Sequence, residues 1–238
     1  MIIYGLNPVL EALRAGRVRA LRVSTRSDRR TQDVLRLAGA SGVRVQHVDA
    51  AELDRAARGG LHQGVVADVE DAPDYDVADL VRSAKGAPLI VVLDGVEDPH
   101  NFGAILRVAD AAGADGVVRQ TRRAAAVDGV AAKASAGALA HARIASVVNI
   151  ARAIEELKAA NVWTIGLTAD APDVYSDLDL TLPTAIVLGS EGDGLRRLVR
   201  ESCDRTASIP MLGHVDSLNV SVAAGIMLFE AVRQRRLR

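Results

Sequence analysis

From Pro88 onward the chain is punctuated by short, nearly continuous apolar runs: LIVVLDG, DGVV, VWTIGLT, TAIVLGS and ASIPM. A strand with one face in water alternates polar and apolar residues, whereas a run apolar at every position has to be covered on both faces. A parallel sheet with crossover helices meets that demand, and helical patterns at 101–112, 150–160, 194–202 and 218–236 supply the cover. Residues 88–238 therefore read as an α/β domain. Such sheets take ligands at the carboxyl ends of their strands, so the loops after LIVVLDG, TAIVLGS and ASIPM are where chemistry is expected.

The front of the chain is built on a smaller scale. NPVLEALRAG, ALRVST, a polar helix near 28–39, VRVQHV, a short helix near 50–58 and GVVADV alternate as a small α/β unit over residues 1–70. The acidic EDAPDYDVAD that follows shows no sustained periodicity, and 71–87 reads as a linker. A net charge of −1 excludes a protein that is basic all over, so nucleic-acid binding needs a local patch. Eight arginines between Arg14 and Arg36 stand against two acids. Arg22, Arg26, Arg29 and Arg30 are the candidates for phosphate contact, and a merely solvated surface is the alternative. Aromatic residues make up 3% of the chain, so base stacking is not expected to dominate. No apolar run approaches the ~20 residues of a membrane span, which leads to an expected cytoplasmic location. The single Cys203 and the spacing of the five histidines predict neither a disulfide nor a structural metal.

Three segments of the larger domain stand out. In DGVEDPHNFGAILRVADAAG, Asp98 or Asn101 caps a helix that ends at Gly113. Its one cation, Arg107, sits among apolar residues, and a buried guanidinium needs a carboxylate or phosphate. Gly103 is expected to leave space beside it, and an ion pair with Asp110 or Glu191 is the structural alternative. In LGSEGDGLRRL, glycines 189, 192 and 194 surround Glu191 at a strand end, matching neither the Walker loop nor the dinucleotide fingerprint. In SIPMLGHVDSLNVSVAAGIMLFEAV, Ser217 or Asn219 caps a helix of small residues suited to packing on two sides, one against the sheet and one against a partner subunit.

Together these segments resemble, in order, the three motifs of the SpoU (TrmH-type) RNA 2′-O-ribose methyltransferases: Asn101, Gly103 and Arg107; Gly189 to Gly194; and Ile209 to Ala223. IYGLNPVLEAL and HQGVVADV resemble the ends of that family's RNA-binding domain, of the ribosomal-protein L30e type. The resemblance implies a SPOUT fold with a trefoil knot, a homodimer, and S-adenosylmethionine held around Gly189, Ile209, Met211, Ser217, Leu218 and Asn219. It implies catalytic roles for Asn101, Arg107, Glu191, Ser217 and Asn219, with Arg107 sometimes described as the base; a bidentate grip on the RNA phosphate is the safer role for a guanidinium, and Glu191 is a candidate to orient it. The bacterial enzymes that methylate a guanosine ribose of 23S rRNA are the similar subgroup. Where many relatives have an acid this chain has Ala140, which receives no role. A transfer-RNA or antibiotic-resistance ribosomal RNA methyltransferase and a non-catalytic RNA-binding or assembly factor are the rival readings.

Overall fold

A computed structural model describes residues 1–25 and 29–237. The first unit runs β1 (Ile2–Tyr4), α1 (Leu6–Arg14), β2 (Val18–Ser24), α2 (Arg29–Ala40), β3 (Arg44–Val48), α3 (Ala50–Ala56) and β4 (Val65–Val69). Its sheet has the order β1-β4-β2-β3, parallel only between β2 and β3. The periodicities at 7–69 translate element for element.

The segment read as a linker is not loose. Asp76 forms a capping box with Asp79 and starts α4 (Val77–Arg82), whose Val77 and Leu80 are buried, and Tyr75 bridges to Ala145. The acids that suggested a solvated connection are in part a helix cap.

The larger unit continues with β5 (Leu89–Asp94), α5 (Pro99–Ala112), β6 (Gly116–Gln120), α6 (Gly129–Ala134), β7 (Ile144–Val147), α7 (Ile150–Ala159), β8 (Trp163–Leu167), β9 (Asp173–Val174), β10 (Thr184–Gly189), α8 (Arg197–Ser202), β11 (Arg205–Ser208) and α9 (Val220–Arg236). Seven strands form one parallel sheet in the order β7-β6-β5-β10-β8-β11-β9. Every residue of β5 is buried. Leu89, Val91 and Leu93 join the core with residues of α5 and α9, while Ile90 and Val92 join the core with α4, α7 and α8. This is the two-sided cover that the apolar runs require. The expected strand at ASIPM stops at Ser208, because Pro210 has no N–H to offer a ladder, and Ile209 to Met211 are released into a loop. Among the described residues no helix is long and apolar enough to cross a membrane, and no cluster of three or more His, Cys, Asp or Glu could hold a metal.

The two units share one continuous apolar core, in which Leu6, Val9 and Ala12 meet Ala132 and Leu139. Polar contacts reinforce the seam: Arg17 donates to Ala140 O at 3.2 Å, Lys133 to Leu61 O, and His141 Nε2 lies 2.9 Å from Glu11. Partial burial raises the Glu11 pKa, but hydrogen bonds from His141 and Arg14 outweigh it and hold the carboxyl below its usual range. A depressed carboxylate stabilises the fold above its unfolded pKa, and that contribution is lost as pH falls through the folded value.

Burial pushes the Cys203 thiol up to about 12, with Asp204 adding to the effect, and Sγ donates to Val199 O at 3.2 Å. At pH 8 the thiolate is scarce, so native protein should react with a disulfide reagent at least about a hundredfold more slowly than urea-unfolded protein. Comparable rates in the two states would show that the pocket around α8 opens freely.

Candidate active site

The site is assembled at the carboxyl ends of β5, β8, β10 and β11. Asp98 caps α5 by accepting from His100 N and Asn101 N, and so fixes where Asn101 projects. Asn101 is nearly buried, at 9% exposure. Its Oδ1 accepts from Asn219 Nδ2 at 2.9 Å, and the same Nδ2 donates to Glu191 Oε1 at 2.6 Å. The Asn219 Oδ1 meanwhile accepts from Ser221 N and Oγ, capping α9. One carboxamide thus joins all three sequence motifs, with both donors and its acceptor in use. Of the two capping candidates for each helix, Asp98 and Asn219 are the caps.

The Gly189 to Gly194 segment folds back on itself. Ser190 and Gly194 exchange two backbone hydrogen bonds of 3.1 Å, and a Cβ on Gly189 would lie 2.1 Å from the Gly194 carbonyl carbon. Glycine is required there by backbone contact. The loop is moored from behind by Asp94. Its side chain is fully buried, and it accepts from Arg196 N at 2.9 Å, Arg196 Nε at 2.7 Å and Arg196 Nη2.

Against this loop lies a cleft of about 790 Å³. Gly189, Ile209, Met211, Ser217, Leu218 and Asn219, the residues expected to hold the cofactor, all line it. Leu167, Thr168 and Ala169 line it too and were missed. VWTIGLT was recognised as a strand, and the rule that ligands gather at carboxyl ends applied equally to its loop. The donor set fits S-adenosylmethionine. Leu167, Leu188, Ile209, Met211 and Leu218 offer apolar walls suited to an adenosyl group, and Asp216 and Glu191 supply carboxylates that would offset the donor's positive charge.

Other expectations need correction. Arg107 is not buried in its helix: it is exposed and makes no hydrogen bond or ion pair among the described residues. Neither Asp110 nor Glu191 holds it, and Glu191 bonds Asn219 instead. Six residues separate Asn101 from Arg107, about 9 Å along the axis and on another face of α5. Gly103 opens no space either. An added Cβ would meet Ala134 Cβ at 2.5 Å and Ala131 O at 2.7 Å, so the glycine permits α5 and α6 to touch. Of the candidate RNA contacts, Arg22 pairs with Asp68 at 3.2 Å, Arg29 and Arg30 are exposed, and Arg26 lies outside the described residues.

Comparison with known proteins agrees with this geometry. Residues 88–229 match the model of the SpoU rRNA Methylase family, and residues 2–75 match that of the RNA 2′-O ribose methyltransferase substrate-binding domain. The chain is 43% identical over its whole length to the 23S rRNA (guanosine-2′-O-)-methyltransferase RlmB of Yersinia pestis, covering 98% of that protein. It is 47% identical over 89% of its length to the protein of the same name from Ralstonia nicotianae, covering 86% of it. Among solved structures, the SpoU methyltransferase AviRb of Streptomyces viridochromogenes in complex with AdoMet superposes with a TM-score of 0.84 at 29% identity, over 100% of this chain and 91% of that one.

Proposed function

This chain belongs to the SpoU rRNA Methylase family and is an S-adenosylmethionine-dependent RNA 2′-O-ribose methyltransferase. From that premise we propose that its substrate is a guanosine ribose of 23S rRNA. Relatives matched over 86% or more of their own length carry that activity in their names. The observation that carries the site assignment is the Asn101–Asn219–Glu191 cluster standing in the wall of the cofactor cleft. A knotted C-terminal chain and a cytoplasmic location belong to the same reading.

Bound in the cleft, S-adenosylmethionine supplies an electrophilic methyl group. The chain must then position a 2′-hydroxyl and relieve it of its proton while excluding water. The cluster fixes the wall against which the ribose rests, and the apolar lining keeps the region dry, which strengthens every charge interaction at the attacking oxygen. Arg107 is assigned a bidentate grip on the RNA phosphate and the developing alkoxide, because a guanidinium carries five donors and no acceptor and is a poor base. Since Arg107 stands apart from its own chain's cluster, we assign it to the site of a second copy. Val222 and Phe229 expose an apolar stripe on α9, the helix packed against α5, and a homodimer through that stripe sets Arg107 at the seam.

Residues 1–70 are proposed to bind the RNA, and 88–238 to carry catalysis. Most arginines near the front are spent locally: Arg14 on Glu11, Arg19 on Glu70, Arg22 on Asp68 and Arg36 on Asp33. Arg29 and Arg30 have no such partner among the described residues. Replacing both by alanine is expected to lower the log-log salt slope of RNA binding by about 1.4 to 1.8, at roughly 0.7 to 0.9 per lost phosphate contact. An unchanged slope would remove them from the interface. The function itself is tested by mapping 2′-O-methylation in 23S rRNA from a deletion strain and after treating that RNA with the protein. Absence of any new ribose methylation there would refute the assignment.

A further inference from the structure

The cofactor cleft has a neighbour. Between β5 and β10 the sheet's strand order reverses, so the loops that leave these strands run apart, and the crevice at such a reversal is where parallel sheets take ligands. A second cleft of about 390 Å³ opens there. It shares Ser190, Glu191 and Val220 with the cofactor cleft and is bordered by Asn101, so the hydrogen-bonded cluster is the partition between them. Methyl transfer needs donor and acceptor in direct contact, so a target ribose would sit at the edge the two clefts share, with its base on the side away from the cofactor cleft.

The lining has a definite chemistry. Gln120, at the end of β6, is 8% exposed, and its Oε1 is shut from water with no hydrogen-bond partner. Buried carboxamides are ordinarily paired, and a half-turn about the last side-chain torsion lets this one show either end to the cleft. Glu97 and Asp193 add carboxylates, and Arg123 adds an exposed guanidinium, none of them in an ion pair among the described residues. Guanine is the one common base with two adjacent donors on its pairing edge, N1–H and N2–H₂, and a carboxylate accepts from both at once. Adenine, cytosine and uracil each offer a single donor group there.

We propose that this second cleft receives the base of the target nucleotide, with Gln120 and Glu97 reading a guanine edge and Arg123 holding its phosphate. The inference rests on the ribose-methylation reading above. Its test uses RNA carrying guanosine or adenosine at the mapped position, with kcat, KM and S-adenosylmethionine Kd measured for wild type, Gln120→Leu, Glu97→Gln and Arg123→Ala. Gln120→Leu keeps the volume and removes the hydrogen bonds. It should reduce the guanosine-over-adenosine ratio in kcat/KM at least tenfold with cofactor Kd unchanged. Arg123→Ala should raise the KM for RNA severalfold and lower the salt slope by about 0.7 to 0.9. If Gln120→Leu fails to fold, the exposed Glu97→Gln decides on the same ratio. A ratio within about twofold of wild type, or a wild type without preference, overturns the proposal. If 23S rRNA is not the substrate, the functional reading fails by itself, and the ratio is read on whichever RNA is methylated.

Discussion

Arg107→Ala is expected to reduce methyl transfer by about 10²- to 10³-fold, the usual effect of removing one donor from a developing oxyanion. The thermal midpoint and S-adenosylmethionine Kd should stay close to wild type. The side chain is exposed and bonds nothing among the described residues, so its loss leaves no cavity and no orphaned partner there. Arg107→Lys keeps the charge but not the planar two-donor fork. Activity that stays low at every pH supports the clamp, whereas recovery as pH rises toward ~10 would identify a base. Mixing then asks which subunit the residue serves. If the chain forms the homodimer proposed above, Arg107→Ala and Asn219→Ala are each expected to be inactive alone; after random exchange half of the dimers are mixed, and each mixed dimer has one intact site if Arg107 acts across the interface. Activity should return to about a quarter of wild type. No recovery in verified mixed dimers would place Arg107 with its own chain's cluster, and retained activity in the alanine homodimer would end its catalytic role.

Arg107 also shows where sequence reasoning reached its limit. The apolar neighbours that made it look buried are real: Ile105, Leu106 and Ala109 face the core. A helix, however, has a fourth side, and 3.6-residue geometry put Arg107 on it. Asn101, Glu191 and Asn219 could be picked out as motif members, but spacing could not reveal that one asparagine bonds the other two residues, because 118 and 28 residues separate the partners. The parallel sheet was legible because burial on both faces writes itself into each strand as an unbroken apolar run. The edge strands β7 and β9 were not, being short and only partly covered. Gln120 escaped notice because a lone glutamine after an apolar run reads as a strand end. Its significance comes from the burial of Oε1 and from the reversal of strand order beside it.

The mooring of the glycine loop carries the largest expected effect on stability, and exposure decides which partner matters more. The Asp94 side chain is fully buried, while that of Arg196 is 49% exposed. Arg196→Ala leaves a carboxylate inside the protein with a single backbone N–H, a change of the kind that costs about 3 to 5 kcal/mol. Asp94→Ala removes the buried charge itself. The freed guanidinium reaches water, leaving chiefly an unpaired backbone amide, at about 1 to 3 kcal/mol. The double variant Asp94→Ala/Arg196→Ala should therefore be more stable than Arg196→Ala alone, a coupling that urea unfolding of the four proteins can measure. All three variants are expected to bind S-adenosylmethionine weakly, because Ser190 to Gly194 lose their hold on β5 and with it the position of Glu191. If Arg196→Ala proves milder than Asp94→Ala, or if cofactor affinity survives in both, the pair is a surface contact and the loop is held by its own Ser190–Gly194 bonds.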